Sequence, residues 1–240
     1  MRYLLELAYD GTNYHGWQVQ PNAKTVQAEV NKALSIILRE DITTLGSGRT
    51  DAGVHAEQQF VHFDTDQPIS DKLIQQLNGI TPIDIAFYNI RKVHPDFNVR
   101  FDAITRAYRY RIKSSKNPFL LNQYYRYHKP VDVVAMNKAA ATLLDYTDFE
   151  CFSKVHTDVK TFLCTITQAE WKQEGNKLEF YIKANRFLRG MVRAIVGTLL
   201  EVGLGKITVQ EFRDIIESKD RNKAGRAVPA EGLFLVEVNY

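Results

Sequence analysis

Cysteine is nearly absent: Cys151 and Cys164 are the only two, and they form no C-x-x-C pair. Two thiols are too few for a disulfide framework, so inert thiols in a reducing compartment are expected. Long apolar runs are missing as well, and no stretch reaches the ~20 residues that a membrane-spanning helix needs. Residues 1–10 set Arg2, Glu6 and Asp10 around a short apolar run, without the apolar region or cleavage site of a secretory signal. These absences lead us to expect a cytoplasmic protein with no membrane partner. Charge of one sign is not in excess, because 31 Lys and Arg face 28 Asp and Glu for a net +3. Total charge therefore announces no polyanionic partner, and only local clusters can do so. No Gly/Ser-rich linker or low-complexity segment divides the chain, and no phosphate-cradling glycine loop or metal-ligand cluster stands out.

What is present is ordinary globular material, 240 residues with 45% apolar and 25% charged, long enough to bury a substantial core. Residues 3–9 read as a strand ending at Asp10-Gly11. Thr25 is placed to cap a helix with Val26, Val30, Ala33, Leu34 and Ile37 at helical spacing. Gly46-Ser47-Gly48 reads as irregular loop, followed by a strand over residues 58–63, a short helix after Ser70 and β character over residues 82–93. Residues 105–113 alternate, with Tyr108, Tyr110 and Ile112 on one face and Arg109, Arg111 and Lys113 on the other. A helix from Asp132 is expected to turn Met136, Ala140 and Leu144 inward, and Glu174-Gly175-Asn176 marks a hairpin. A nearly all-apolar helix over about residues 188–202 must be buried, with Arg186, Arg189 and Arg193 on one stripe. Thr208-Val209-Gln210-Glu211 is a capping box, and residues 233–238 close the chain as a strand. Strands and helices mix without strict βαβ alternation, which implies an α+β fold with a largely antiparallel sheet. Two related lobes are expected, residues 1–103 and residues 104–240.

The most informative stretch is Gly48-Arg49-Thr50-Asp51-Ala52-Gly53-Val54-His55-Ala56. It sets a carboxylate near a cation among small residues. Arg49 would favour the ionised form that a nucleophile or base requires, and the glycines would let a bulky ligand approach the backbone. The same residues would also make a solvated turn in which Asp51 bonds only nearby amides. Residues alone leave both readings open.

This nonapeptide resembles the catalytic motif of the TruA-type tRNA pseudouridine synthases. Further segments resemble that family in order: Ala8-Tyr9-Asp10-Gly11-Thr12-Asn13-Tyr14-His15-Gly16-Trp17-Gln18, residues 97–101, Arg106-Ala107-Tyr108-Arg109-Tyr110, Met191-Val192-Arg193 and Ala230-Glu231-Gly232-Leu233. The resemblance spans essentially the whole chain. It implies the pseudouridine synthase fold, with two α/β lobes sharing a mixed sheet around a central catalytic cleft. It further implies that Asp51 is the catalytic aspartate and that Tyr108 stacks on the target uracil. Arg49 and Leu233 would help hold the nucleotide. Phe97, Arg100 and Phe101 would contact RNA, as would residues 156–160 with Lys160. The implied substrate is tRNA at uridines 38, 39 and 40 of the anticodon arm, gripped by a homodimer. Two departures stand out: Gln58 where the family commonly has Gly, and Lys160 where Arg is common, which keeps the charge but loses bidentate phosphate binding.

The chemistry agrees with that resemblance. Pseudouridylation breaks C1′–N1, turns the uracil over and joins C5 to C1′ with no change of redox state, so it requires no cofactor, metal or ATP. One carboxylate suffices, whether it attacks the base, attacks the sugar or abstracts a proton. The base must be flipped out at a cost of a few kcal/mol, which stacking on an aromatic ring (about 1–3 kcal/mol) partly offsets. Arg189 and Arg193 suit phosphate tracking as well as a solvated helix edge, and the run Tyr124-Tyr125-Arg126-Tyr127-His128-Lys129 suits RNA as well as an edge strand. His55, His62 and Asp64 match no strong metal spacing and read as structural. A non-catalytic RNA-binding module would not need Arg49 and Asp51 in a glycine-rich loop. An aspartate-nucleophile hydrolase would need a metal or a second carboxylate, for which no candidate is evident.

Overall fold

Leu5, Leu7 and Tyr9 fall on alternate positions and are buried, which makes Arg2–Tyr9 a core strand, β1, in the computed structural model, where residues 1–155 and 159–240 are described. Along the chain follow α1 (Val26–Leu38), β2 (Leu45–Gly46), β3 (His55–Asp64), α2 (Leu73–Ile80) and β4 (Ile85–Lys92). Then come β5 (Thr105–Lys113), β6 (Tyr125–Arg126), α3 (Val133–Thr142), β7 (Ile166–Glu174), β8 (Lys177–Ala184), α4 (Met191–Gly203), α5 (Val209–Ser218) and β9 (Leu233–Asn239). The fold is α+β with mostly antiparallel strands, as expected.

Two compact units divide these elements, Met1–Ile104 with Phe234–Tyr240, and Thr105–Leu233. The cut falls next to residue 103, but Phe234–Tyr240, expected with the second half, belongs to the first unit. The reason is strand pairing: β9 joins β3 in parallel through His55 with Phe234 and Ala56 with Leu235. In the first unit β1 lies between β3 and β4, antiparallel to both, and β2 adds to the edge of β3. Gly46 therefore belongs to a short strand rather than to irregular loop, and it carries no side chain because the Trp17 indole lies where a Cβ would go. Helix α1 buries Val26, Val30, Ala33 and Leu34. Its predicted cap fails, because the Thr25 hydroxyl is buried without a hydrogen-bond partner. The backbone carbonyls of Gly16 and Trp17 accept the Val26 and Gln27 N–H groups instead (3.2 and 2.9 Å).

In the second unit β8 lies between β5 and β7, antiparallel to both, and β6 runs parallel to β5. Gly175 with φ +57° makes the predicted hairpin between β7 and β8. Helix α4 is buried almost all round, and the capping box of α5 is present in full. Three expectations give way here. The inward stripe of α3 is Met136, Ala139, Ala140 and Leu143, while Leu144 is exposed, because the helix tightens at residues 143–145 into a 3-10 turn with three residues per turn. Arg186 and Arg189 precede α4, so of the three arginines only Arg193 lies on a helix. Lys113 is buried, its ammonium 5.5 Å from the centre of the Tyr124 ring, so the cationic face of β5 does not run to its end.

Candidate active site

Asp51 lies in the connection between β2 and β3, at the first position of a tight turn closed by the Val54 N–H donating to the Asp51 carbonyl at 3.1 Å. Gly53, third in that turn, has φ +75°, the left-handed value a type II turn demands. The residue before Asp51 is held more firmly. Thr50 shares a hydrogen bond of 2.8 Å between its hydroxyl and that of Tyr9, and its carbonyl accepts the Trp17 N–H at 3.1 Å. The Gly53 N–H donates to the Tyr14 carbonyl at 3.3 Å. Gly16 lies so close that a Cβ there would come within 2.6 Å of the Thr50 carbonyl oxygen, and its φ is +92°. Ser47 donates to Gln59, whose side-chain amide donates to the Gly48 carbonyl at 3.0 Å. Residues 8–18 thus form the bed on which the Asp51 loop rests.

Asp51 is half-buried and Arg49 is exposed. Among the described residues no ion pair joins the two. Arg49 instead lines a depression of about 50 Å³ together with Arg100, Trp17, Gln18 and Leu45. Two cations far apart in sequence thus flank an aromatic ring and an amide. Such a surface suits an anionic, planar ligand.

His55 is 2% exposed, its Nδ1 3.0 Å from Asp10 Oδ1 and 3.1 Å from the Gly11 amide nitrogen, and its ring stacks on Phe234 at 4.5 Å. Asp10 also accepts from the Thr12 N–H at 2.9 Å and its hydroxyl at 2.5 Å. Burial opposes ionisation of Asp10, but the hydrogen bonds from His55 and Thr12 outweigh it and hold the carboxyl well below the usual carboxylate range. The Val99 N–H donates to His62 at 3.1 Å, and Asp64 pairs with Arg2 at 2.7 Å. Each of the three side chains considered as metal ligands thus has another partner. Among the described residues no group of three or more His, Cys, Asp or Glu converges.

Residues 7–102 and 139–240 match the family described as tRNA pseudouridine synthase. The chain belongs to the tRNA pseudouridine synthase family. It is 53% identical to tRNA pseudouridine synthase A of Bacteroides thetaiotaomicron, over all of this chain and 90% of that one. It is 48% identical to tRNA pseudouridine synthase A of Porphyromonas gingivalis, over all of this chain and 97% of that one. To tRNA pseudouridine synthase A 2 of Clostridium perfringens it is 41% identical, over 98% of each. A likeness to a CRISPR endoribonuclease Cse3 bound to 19 nt RNA covers 85% of this chain and 97% of that one at 14% identity, and its TM-score of 0.20 bears no weight.

The other sequence-predicted residues fall in both units. In the first, Asn98 accepts the Arg100 and Phe101 N–H groups at 3.0 and 3.1 Å, and the resulting turn presents Arg100 and a largely exposed Phe101 side by side. Phe97 is half-buried and packs on Tyr240 at 5.2 Å. In the second, Tyr108 is half-buried on β5, edge-on to Phe187 at 5.0 Å, whereas Tyr110 is fully buried and donates to the Pro229 carbonyl at 2.8 Å. Leu233 is buried at the start of β9. Arg193 donates through Nε to the Val228 carbonyl at 2.7 Å, while Arg189 and Lys160 are exposed. His156, Thr157 and Asp158, expected to contact RNA, lie outside the described residues. Gln58 bridges strands: its amide donates to Glu6 at 2.8 Å and its carbonyl oxygen accepts the Val238 N–H at 2.9 Å. A glycine there would offer neither bond. Sequence reasoning missed Tyr9, Tyr14, Gly16 and Trp17 as supports of the Asp51 loop. Their only signal was membership in a second motif, remote in sequence from the first.

Proposed function

We propose that this chain isomerises uridine to pseudouridine in the tRNA anticodon arm, at positions 38, 39 and 40, with Asp51 as the catalytic carboxylate. The observation that carries the assignment is a half-buried Asp51 at the head of a turn whose backbone is tied on both sides to residues 8–18. A carboxylate placed so firmly loses little entropy on meeting the substrate. The reaction breaks C1′–N1 and forms C5–C1′; the C5 proton leaves and N1 takes one up, so atoms and electrons balance. Arg49, Tyr108 and Leu233 hold the flipped nucleotide, with Tyr108 as the stacking platform. Phe97, Arg100, Phe101, Lys160, Arg189 and Arg193 contact the RNA, and Arg100 does so from the depression it shares with Arg49. The enzyme works as a cytoplasmic homodimer.

The test is tritium release from tRNA labelled at uracil C5, paired with filter-binding affinity for the same RNA. Asp51→Asn keeps the shape and removes the charge, so release disappears while affinity stays within about tenfold, or 1.4 kcal/mol. Normal release would remove Asp51 from the mechanism. Loss of binding together with release would reduce it to a structural turn residue.

A further inference from the structure

The residue immediately before Asp51, Thr50, is gripped twice. Its carbonyl accepts the Trp17 N–H at 3.1 Å and its hydroxyl meets the Tyr9 hydroxyl at 2.8 Å. Tyr9 and Thr50 are 4% and 8% exposed, so little water competes for that bond. The Tyr9 ring stacks on Trp17, at 6.0 Å between centroids, so both grips on Thr50 come from one packed aromatic pair. Tyr9 is the last residue of β1, a strand hydrogen-bonded on both edges.

We propose that Tyr9 and Thr50 are positioning residues: their shared hydrogen bond sets where Asp51 stands relative to the uridine. The inference rests on the assignment of Asp51 as catalytic carboxylate. A carboxylate that must reach one carbon or one proton tolerates little displacement, and a misplacement of about 1 Å costs on the order of 100-fold in rate. Binding is spread over many groups and depends on this bond far less.

Thr50→Val replaces the hydroxyl with a methyl of nearly the same shape, Tyr9→Phe removes the other half of the pair, and Thr50→Ser retains the hydroxyl. Single-turnover rates, tRNA affinity and melting temperature are measured for each variant, for the double variant Tyr9→Phe/Thr50→Val and for Asp51→Asn. Tyr9→Phe and Thr50→Val are each expected to slow the chemical step by about 10- to 100-fold with affinity changed less than about threefold, whereas Thr50→Ser keeps most of the rate. The double variant separates positioning from stability. It leaves neither hydroxyl of the pair stranded, so its melting temperature rises above that of Tyr9→Phe, whereas its rate is no better than either single variant. Rates near wild type in Tyr9→Phe and Thr50→Val would overturn the proposal. So would a double variant that regains rate along with stability, or a loss equal to the product of the two single losses. Asp51→Asn is the separate arm: if it still turns over, the catalytic assignment itself fails, whatever Tyr9 and Thr50 do.

Discussion

Replacing Gly16 with alanine tests whether residues 8–18 hold the Asp51 loop in place. The new Cβ would lie 2.6 Å from the Thr50 carbonyl oxygen and 3.2 Å from the Ala52 amide nitrogen, both backbone atoms that no rotamer change can move aside. Gly16 also has φ +92°, which an L side chain adopts at a cost of about 1–2 kcal/mol. Pushing well-packed neighbours apart adds about 1–3 kcal/mol. About 3 kcal/mol, near the middle of the combined range, corresponds to a fall of about 6–12 °C in melting temperature for a chain of this size. Because the displaced atoms belong to the residues on either side of Asp51, turnover should fall well beyond what the unfolded fraction explains. The control is Gly48→Ala in the same loop, where a Cβ would meet nothing within 4 Å. Its stability should stay within about 0.5 kcal/mol of wild type. Thermal melting by circular dichroism and tritium release at a temperature where both variants are folded are the two readings. If Gly16→Ala melts like Gly48→Ala and turns over like wild type, the loop is not braced by residues 8–18.

Tyr108→Phe should keep both the edge contact with Phe187 and the stacking face, whereas Tyr108→Ala should lose about 1–3 kcal/mol of tRNA binding; unchanged product formation by Tyr108→Ala under subsaturating tRNA would refute the platform role. Alanine at Lys160 or Arg189, both exposed, should flatten the dependence of log affinity on log salt by roughly 0.7–0.9 per phosphate contact, and Lys160→Ala should leave the melting temperature alone. Arg193→Ala should flatten it too but also destabilise the fold by about 1.5–3 kcal/mol, because its Nε donates to the Val228 carbonyl. The carboxyl of Asp10 is depressed on folding, so its stabilising contribution is complete above the ordinary carboxylate range and is lost only as pH falls through the lower folded value. Asp10→Asn should therefore lower the melting temperature at pH 7 and narrow its gap to wild type in strong acid. Gln58→Gly should cost about 1–2 kcal/mol in denaturant unfolding, having lost its bonds to Glu6 and to the Val238 N–H.

Local pattern alone determined most of the elements. The periodicity of residues 26–34, the turn at Gly175 and the reciprocal bonds of Thr208 with Glu211 are all complete within a few residues of chain, and each appears in the structure. The Asp51 motif was legible for the same reason, since a carboxylate between an arginine and a glycine is a local statement about chemistry. Local pattern erred where a neighbour far along the chain decides. Lys113 reads as a surface cation until Tyr124 covers it, Gly46 reads as loop until β3 pairs with β2, and Phe234–Tyr240 reads as part of the second half until it pairs with β3. Thr25 has the composition of a cap, yet carbonyls from Gly16 and Trp17 occupy that role. The bracing of Asp51 belongs to this second class. Tyr9 and Thr50 are 41 residues apart, and nothing in either segment specifies that their hydroxyls meet at 2.8 Å. That distance follows from strand register and from a glycine small enough to let two backbones touch, and both exist only once the chain has folded.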